Sequence, residues 1–237
     1  MPVVTVSGMW GSGARDVGQL VAEILGIDYV DQEIMVDAAR RLGVSAESLA
    51  GRDERCLGFR ERLAKMLSNF LERSAVAGAG DPLMGSGGLE VLLARSYADL
   101  GAEARTAAQE LDDVLYVKTV SVIIDELSQK GNIVILGHGG QMILRDLPHA
   151  LHVLALAPLK LRIERFAERE QVALEEAGKR IHDLDRGRAA FHRKFFKVEV
   201  NDPALYDLVV DTGRLPYPVA AEVVALAARA KEAALRS

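Results

Sequence analysis

A single cysteine, Cys56, is all that the 237 residues contain, which excludes an intrachain disulfide and a cysteine cluster for structural zinc. No run of the ~18 apolar residues that a membrane span requires occurs. Met1 leads straight into a strand-like run instead of a basic segment and an apolar leader core. The sequence therefore reads as a cytoplasmic protein of a reducing compartment, with no membrane partner. Positive charge is not in excess either: 29 Lys and Arg face 34 Asp and Glu, a net charge of −5. That balance argues against nucleic acid as a partner, while a local basic patch remains free to serve an anionic ligand. Around His149, His152, His182 and His192 there is no HExxH or paired-carboxylate context, so they read as surface or hydrogen-bonded core histidines and no metal ligands are assigned.

What is present is an alternation of short apolar runs and amphipathic stretches. Val3 to Val6 is β-branched throughout, as in a buried parallel strand, and a glycine loop follows. Val17, Leu20, Val21, Ile24 and Leu25 then recur at helical spacing up to Gly26, a natural helix stop. Ile27 to Val30 predicts a second strand, with Asp31 placed to cap a helix over 32–42. Residues 44–104 interrupt the alternation with a helical stretch, Phe59 to Val76, and a glycine-rich piece, Ala77 to Gly88. The pattern resumes with a long helix over about 104–129 and the strands Asn132 to Leu136, Leu151 to Leu156 and Leu208 to Val210. Helices are expected after Pro158 and at the C-terminal end. The expected fold class is α/β: a five-stranded parallel sheet flanked by helices.

Two features carry chemistry. The loop Gly8-Met9-Trp10-Gly11-Ser12-Gly13-Ala14-Arg15 lies between strand and helix, where backbone N–H groups and the helix dipole suit a phosphate. The spacing of Gly8 and Gly13 is that of a P-loop, G-x-x-x-x-G-K-[ST], but Ala14 stands at the lysine position and Arg15 at the hydroxyl position. A plain tight turn is the competing reading. Trp10, inside this loop, either stacks on a base or covers the loop. The second feature is the segment 177–197, where seven Lys or Arg accompany only Asp183 and Asp185, a local +5. Guanidinium forks suit phosphoryl oxygens, and a solvated helix face with i,i+4 ion pairs is the alternative. Phe191 and Phe195 are four apart, which fits a packing face. Asp112 and Asp113 are expected to face solvent.

The strings Ser7 to Val17 and Leu25-Gly26-Ile27-Asp28-Tyr29-Val30-Asp31 resemble the start of the cytidylate-kinase-like family of P-loop nucleoside monophosphate kinases. Gly137-His138-Gly139-Gly140 resembles its G-R-G loop, and Ala157 to Arg165 the approach to its lid. Asp185-Arg186-Gly187-Arg188-Ala189-Ala190-Phe191 resembles the lid itself, and Asp202 to Thr212 the last strand. The resemblance implies one P-loop kinase-like domain over 1–237, with 44–104 as an inserted helical acceptor lobe and about 160–197 as a helical lid. It implies phosphoryl transfer from ATP, with Mg²⁺, to CMP or a related nucleotide. Gly8, Gly11, Ser12, Gly13, Ala14 and Arg15 would bind the donor nucleotide. Arg15, Arg162, Arg186 and Arg188 would be catalytic, with Arg15 supplying the charge of the missing lysine. Asp31, His138 and Asp185 would bind the acceptor, His138 standing where the family has an arginine and Asp31 doubling as a helix cap. The lid arginines are expected to converge on one phosphate in the closed state and to splay into solvent when the site is empty. A regulatory protein that binds nucleotide without turnover, and a kinase for another small acceptor, are the alternatives. The partners are then nucleotide substrates, and a homo-oligomer is compatible with the sequence.

Overall fold

The β-branched runs do become buried strands. A computed structural model describes residues 1–31, 100–101 and 107–235. Within them lie β1 (Val3–Gly8), α1 (Ala14–Leu25), β2 (Asp28–Val30), α2 (Ala107–Lys130), β3 (Ile133–Leu136) and α3 (Gly140–Ile143). They are followed by β4 (Ala150–Leu156), α4 (Leu159–Glu170), α5 (Leu174–Phe196), a 3₁₀ turn (Pro203–Leu205), β5 (Leu208–Asp211) and α6 (Tyr217–Ala234). The expected cap of Asp31 on a helix over 32–42 falls outside the described residues. So does the inserted lobe 44–104, with its helix Phe59 to Val76, apart from Leu100 and Gly101.

The strands form one parallel sheet in the order β2-β3-β1-β4-β5. Central β1 is flanked on both sides: Val4 lies opposite Val134 of β3 and Leu151 of β4. Because every strand points the same way, the loops after Gly8, Val30, Leu136, Leu156 and Asp211 gather at one end of the sheet. Such a sheet binds its ligand at that end, where the chain order reverses beside β1.

The chain divides into two compact units, one of residues 1–31, 97–102 and 127–237, the other of 32–96 and 103–126. In the first, Val17, Val21 and Ala22 of α1 and Ala220, Ala221, Val224 and Ala228 of α6 pack on Val4, Val6, Val134, Val153 and Val210. The alanines of α6 let it lie close to the sheet. A smaller cluster joins α4 to α5 through Phe166, Ala167, Ala177 and Ile181, with Trp10 against it. Trp10 therefore covers the glycine loop as a packing residue. In the second unit, α2 buries Tyr116, Val120, Ile123 and Ile124, and Asp113 with them. The expectation that Asp113 faces solvent is corrected: it lies three residues before Tyr116 and seven before Val120, on the helix's buried stripe.

Candidate functional site

The glycine loop owes its shape to two residues in the left-handed region, Gly11 and Gly13, both at φ +76°. At each of them a side chain would also collide. A Cβ on Gly11 would lie 2.4 Å from the Arg162 carbonyl oxygen, and one on Gly13 would lie 2.3 Å from the Tyr217 ring. The loop is thus wedged between the start of α4 and the start of α6. Ser12 N–H closes a turn onto Met9 O at 3.0 Å, and Gly13 leads into α1, whose first-turn N–H groups have no carbonyl within the helix to bond. This is the geometry of an anion cradle.

Arg162 crosses the cradle. Its Nη1 donates to Trp10 O at 3.1 Å and to Asp185 Oδ2 at 2.6 Å, and Asp185 Oδ1 accepts the Trp10 N–H at 3.0 Å. The guanidinium is buried, yet its Nε has no hydrogen-bond partner, nor has the buried Ser12 hydroxyl. Arg165, one turn further along α4, donates to Thr212 through Nη1 and Nη2, both at 2.9 Å, and lies 4.8 Å from the Tyr217 ring centroid. Thr212 Oγ1 is within 2.7 Å of Ser12 O, so the end of β5 is tied to the loop as well.

Arg188 reaches the end of β1 from α5. It is buried, donating from Nη2 to Ser7 Oγ and from Nη1 to Asn201 Oδ1, each at 2.8 Å. Arg186, two residues earlier, points away; it is exposed and paired with Asp183 at 2.8 Å. The expectation that the lid arginines either converge on a phosphate or splay into solvent is corrected for Arg162 and Arg188, which have found acceptors inside the fold. The basic segment is also less unbalanced than its count suggests. Lys179 pairs with Glu175, Arg180 with Glu176 and Arg193 with Glu199. These acids fall outside the window 177–197, so much of the charge run is a solvated face of i,i+4 pairs and a local fork.

Beyond β2 and β3, Arg15 Nη2 lies 3.2 Å from Asp31 Oδ2, with the arginine half-exposed and the aspartate buried. His138 is buried at φ +55° between Gly137 and Gly139, themselves at +75° and +73°. Burial pushes its imidazole down to about 4, with the Asp31 carboxylate pulling the other way. The ring is neutral at physiological pH. His192, on α5, is likewise pushed down to about 4 by burial; its Nδ1 donates to Arg188 O at 2.9 Å and its Nε2 lies 3.2 Å from Gln141 Nε2. The His192 ring meets Phe191 edge-on and lies tilted against Phe196, and a Cβ on Gly139 would lie 2.6 Å from the Phe196 ring. His152 is hydrogen-bonded in the core, Nδ1 to Thr5 Oγ1 at 2.8 Å.

Of the residues singled out in the sequence, the structure brings together the loop, Arg162 and Asp185, and separately Arg15 with Asp31. Arg165, expected to converge with Arg162 on one phosphate site, instead serves Thr212, and Ser7, Asn201, Thr212 and Tyr217 were not singled out. Thr212 and Ser7 lie inside the strings that carry the family resemblance, but Tyr217 has no local signal.

A parallel sheet of this order, a glycine loop after its central strand and arginines delivered to that loop by the following helices define a P-loop kinase fold. The chain belongs to the cytidylate kinase-like family, which it matches over residues 3–214. It is 31% identical over 97 residues to a cytidylate kinase of Methanopyrus kandleri, and spans only 50% of that relative's length and 38% of its own in doing so. To a cytidylate kinase of Pyrobaculum aerophilum it is 23% identical over 216 residues, 91% of this chain and 86% of the relative. Among solved structures, an uncharacterized protein from Eubacterium ventriosum ATCC 27560 shares the fold at a TM-score of 0.57 and 15% identity, covering 97% of this chain and 99% of that one. No described helix is long and apolar enough to cross a membrane.

Proposed function

We propose that the protein transfers the γ-phosphoryl group of ATP to a nucleoside monophosphate, CMP or a close relative of it. The observation that carries this reading is the glycine loop at the carboxyl end of β1 with the buried Arg162 guanidinium laid across it, in a chain of the cytidylate kinase-like family. Gly8, Gly11, Ser12, Gly13 and Ala14 offer the donor phosphates a backbone cradle, and Arg15 brings charge to its helix end. An acceptor phosphate oxygen attacks the γ-phosphorus while the bond to the bridging oxygen breaks. No protein nucleophile is required, so the work lies in positioning and charge stabilisation. Arg162 and Arg188 are placed at the loop and at the end of β1, and Arg186 joins them only by movement of α5. Asp31, the neutral His138 and Asp185 are assigned to the acceptor.

Mg²⁺, implied by this chemistry, is held mostly by phosphate oxygens and water and asks for one or two protein carboxylates. Among the described residues no group of three or more carboxylates or histidines is placed to hold it, and the buried Asp31 carboxylate is already engaged by Arg15. The bound ion would neutralise charge on the phosphates. Ala14, at the position where a lysine would stand, favours a second reading, nucleotide binding without turnover. One experiment separates them: titration with ATP and a panel of monophosphates, followed by a product assay. Turnover with CMP supports the first reading, binding without any product supports the second, and turnover only with another acceptor class replaces both.

A further inference from the structure

The Asp185 carboxylate holds two donors at once, the Trp10 N–H of the glycine loop at 3.0 Å and Arg162 Nη1 at 2.6 Å. These are the groups that an anion in the loop would use: a backbone N–H and a guanidinium, both beside the N-terminus of α1. The fit is incomplete. A carboxylate facing an arginine commonly takes two parallel N–H bonds, but Asp185 takes only Nη1, which it shares with Trp10 O, and buried Nε is left without a partner. Nearby, Ser12 Oγ is also buried without one. A planar carboxylate on a helix thus occupies part of a site whose remaining donors suit a larger, tetrahedral anion.

We propose that Asp185 is a tethered anion, a built-in competitor that holds the loop and Arg162 until a phosphate group displaces it. The inference rests on the reading of the glycine loop as a phosphate site and adds to it a device for coupling. Phosphate and carboxylate cannot share the Trp10 N–H and Nη1, since two anions at hydrogen-bond distance of the same donors repel in a poorly hydrated site. Occupation of the loop therefore releases Asp185, and with it a tie between α5 and the glycine loop. A separate tie, Arg188 to Ser7 at the end of β1, lies on the same face of α5, three residues on. Arg186, on the outer face, becomes available to the phosphate only when α5 turns or shifts. The coupling is reciprocal: whatever holds Asp185 on the loop weakens phosphate binding by the same factor.

The test uses inorganic tripolyphosphate on the full chain, so that neither nucleobase nor acceptor contributes. Calorimetry should show Asp185→Asn binding tripolyphosphate about tenfold more tightly than wild type, as removal of a competing charged contact requires. Equal or weaker binding by a folded Asp185→Asn overturns the latch but leaves the loop as the phosphate site. No binding by either protein, to tripolyphosphate or to ATP, overturns the loop reading and the latch together. If Asp185→Asn does not fold, wild type alone decides. On addition of tripolyphosphate, amides over 183–188 should exchange faster as Asp185 lets go. Slower exchange there, with binding confirmed by calorimetry, shows phosphate seated beside an undisturbed Asp185 and overturns the proposal.

Discussion

Arg188 Nη2 donates to Ser7 Oγ across 2.8 Å, joining the middle of α5 to the last side chain of β1 before the glycine loop. The bond spans 181 residues of sequence and is buried. Arg186, by contrast, reaches only Asp183 in solvent. The two arginines should therefore differ sharply on replacement. Arg188→Ala leaves Ser7 and Asn201 without their donor and should cost about 1–3 kcal/mol. At roughly 2–4 °C per kcal/mol for a chain of this size, thermal unfolding should show a clear fall in Tm. Arg186→Ala should stay within about 0.5 kcal/mol of wild type. Equal shifts for the two would contradict the placement of α5.

Arg15 offers a separate test of the proposed donor site. Replacement by Ala removes a charged hydrogen bond worth about 1.5–3 kcal/mol and should weaken ATP binding about tenfold or more. Calorimetry with ATP checks it, and an unchanged affinity would show that Arg15 serves only its pair with Asp31.

Acid should destabilise the protein through its buried histidines. His138 and His192 both titrate at about 4 when folded, against 6.5 for a free imidazole, because burial disfavours the charged ring. With the folded value below the unfolded one, the unfolded chain takes up protons first. The stability they contribute is thus complete above about 6.5 and is lost as pH falls from there to about 4. His138→Asn should flatten part of that loss, since Asn tolerates the left-handed φ of +55° and does not ionise. Urea midpoints measured between pH 7.5 and 4.5 test the sign, and a wild-type stability independent of pH across this range would refute it.

The loop's shape can be tested at Gly13. Gly13→Ala meets both a φ of +76° and the Tyr217 ring at 2.3 Å. It should abolish measurable ATP binding and lower Tm. Adding Tyr217→Ala should restore part of the stability by removing the collision, while the backbone strain persists. A double variant as unstable as the single one would place all of the cost in φ.

The parts of this molecule legible in its sequence are those written locally. Val3 to Val6 lies within β1, the recurrence from Val17 to Leu25 lies within α1, and Gly26 ends that helix at φ +66°. NIVIL became β3, and the string after Pro158 became α4. The loop's glycines were legible because positive φ restricts residue choice. Contacts made across the fold were not. Nothing in the window 177–197 tells that Glu175, Glu176 and Glu199 lie within reach of its cations, because a window cuts through i,i+4 pairs at its ends. Nor does the D-R-G-R string reveal that Asp185 and Arg188 turn inward and Arg186 outward. That division follows from helical spacing only once the buried face of α5 is known. Asp113 shows the converse: its type suggested solvent, and its spacing from Tyr116 placed it inside.

Gly139 and Phe196 stand 57 positions apart, yet the phenyl ring fills the volume where a Cβ at Gly139 would sit. Drift at one position is therefore conditional on the other. A relative with a side chain at the place of Gly139 has to carry something smaller at the place of Phe196, and has also to find another backbone path through the φ of +73°. Two such changes in one lineage are rarer than either alone, so the loop after β3 and the last turn of α5 should be inherited as one piece. Aligned relatives that lose the glycine would then have lost the phenyl ring as well, and a chain assembled from two relatives with its joint between 139 and 196 could set a side chain from one against the ring of the other.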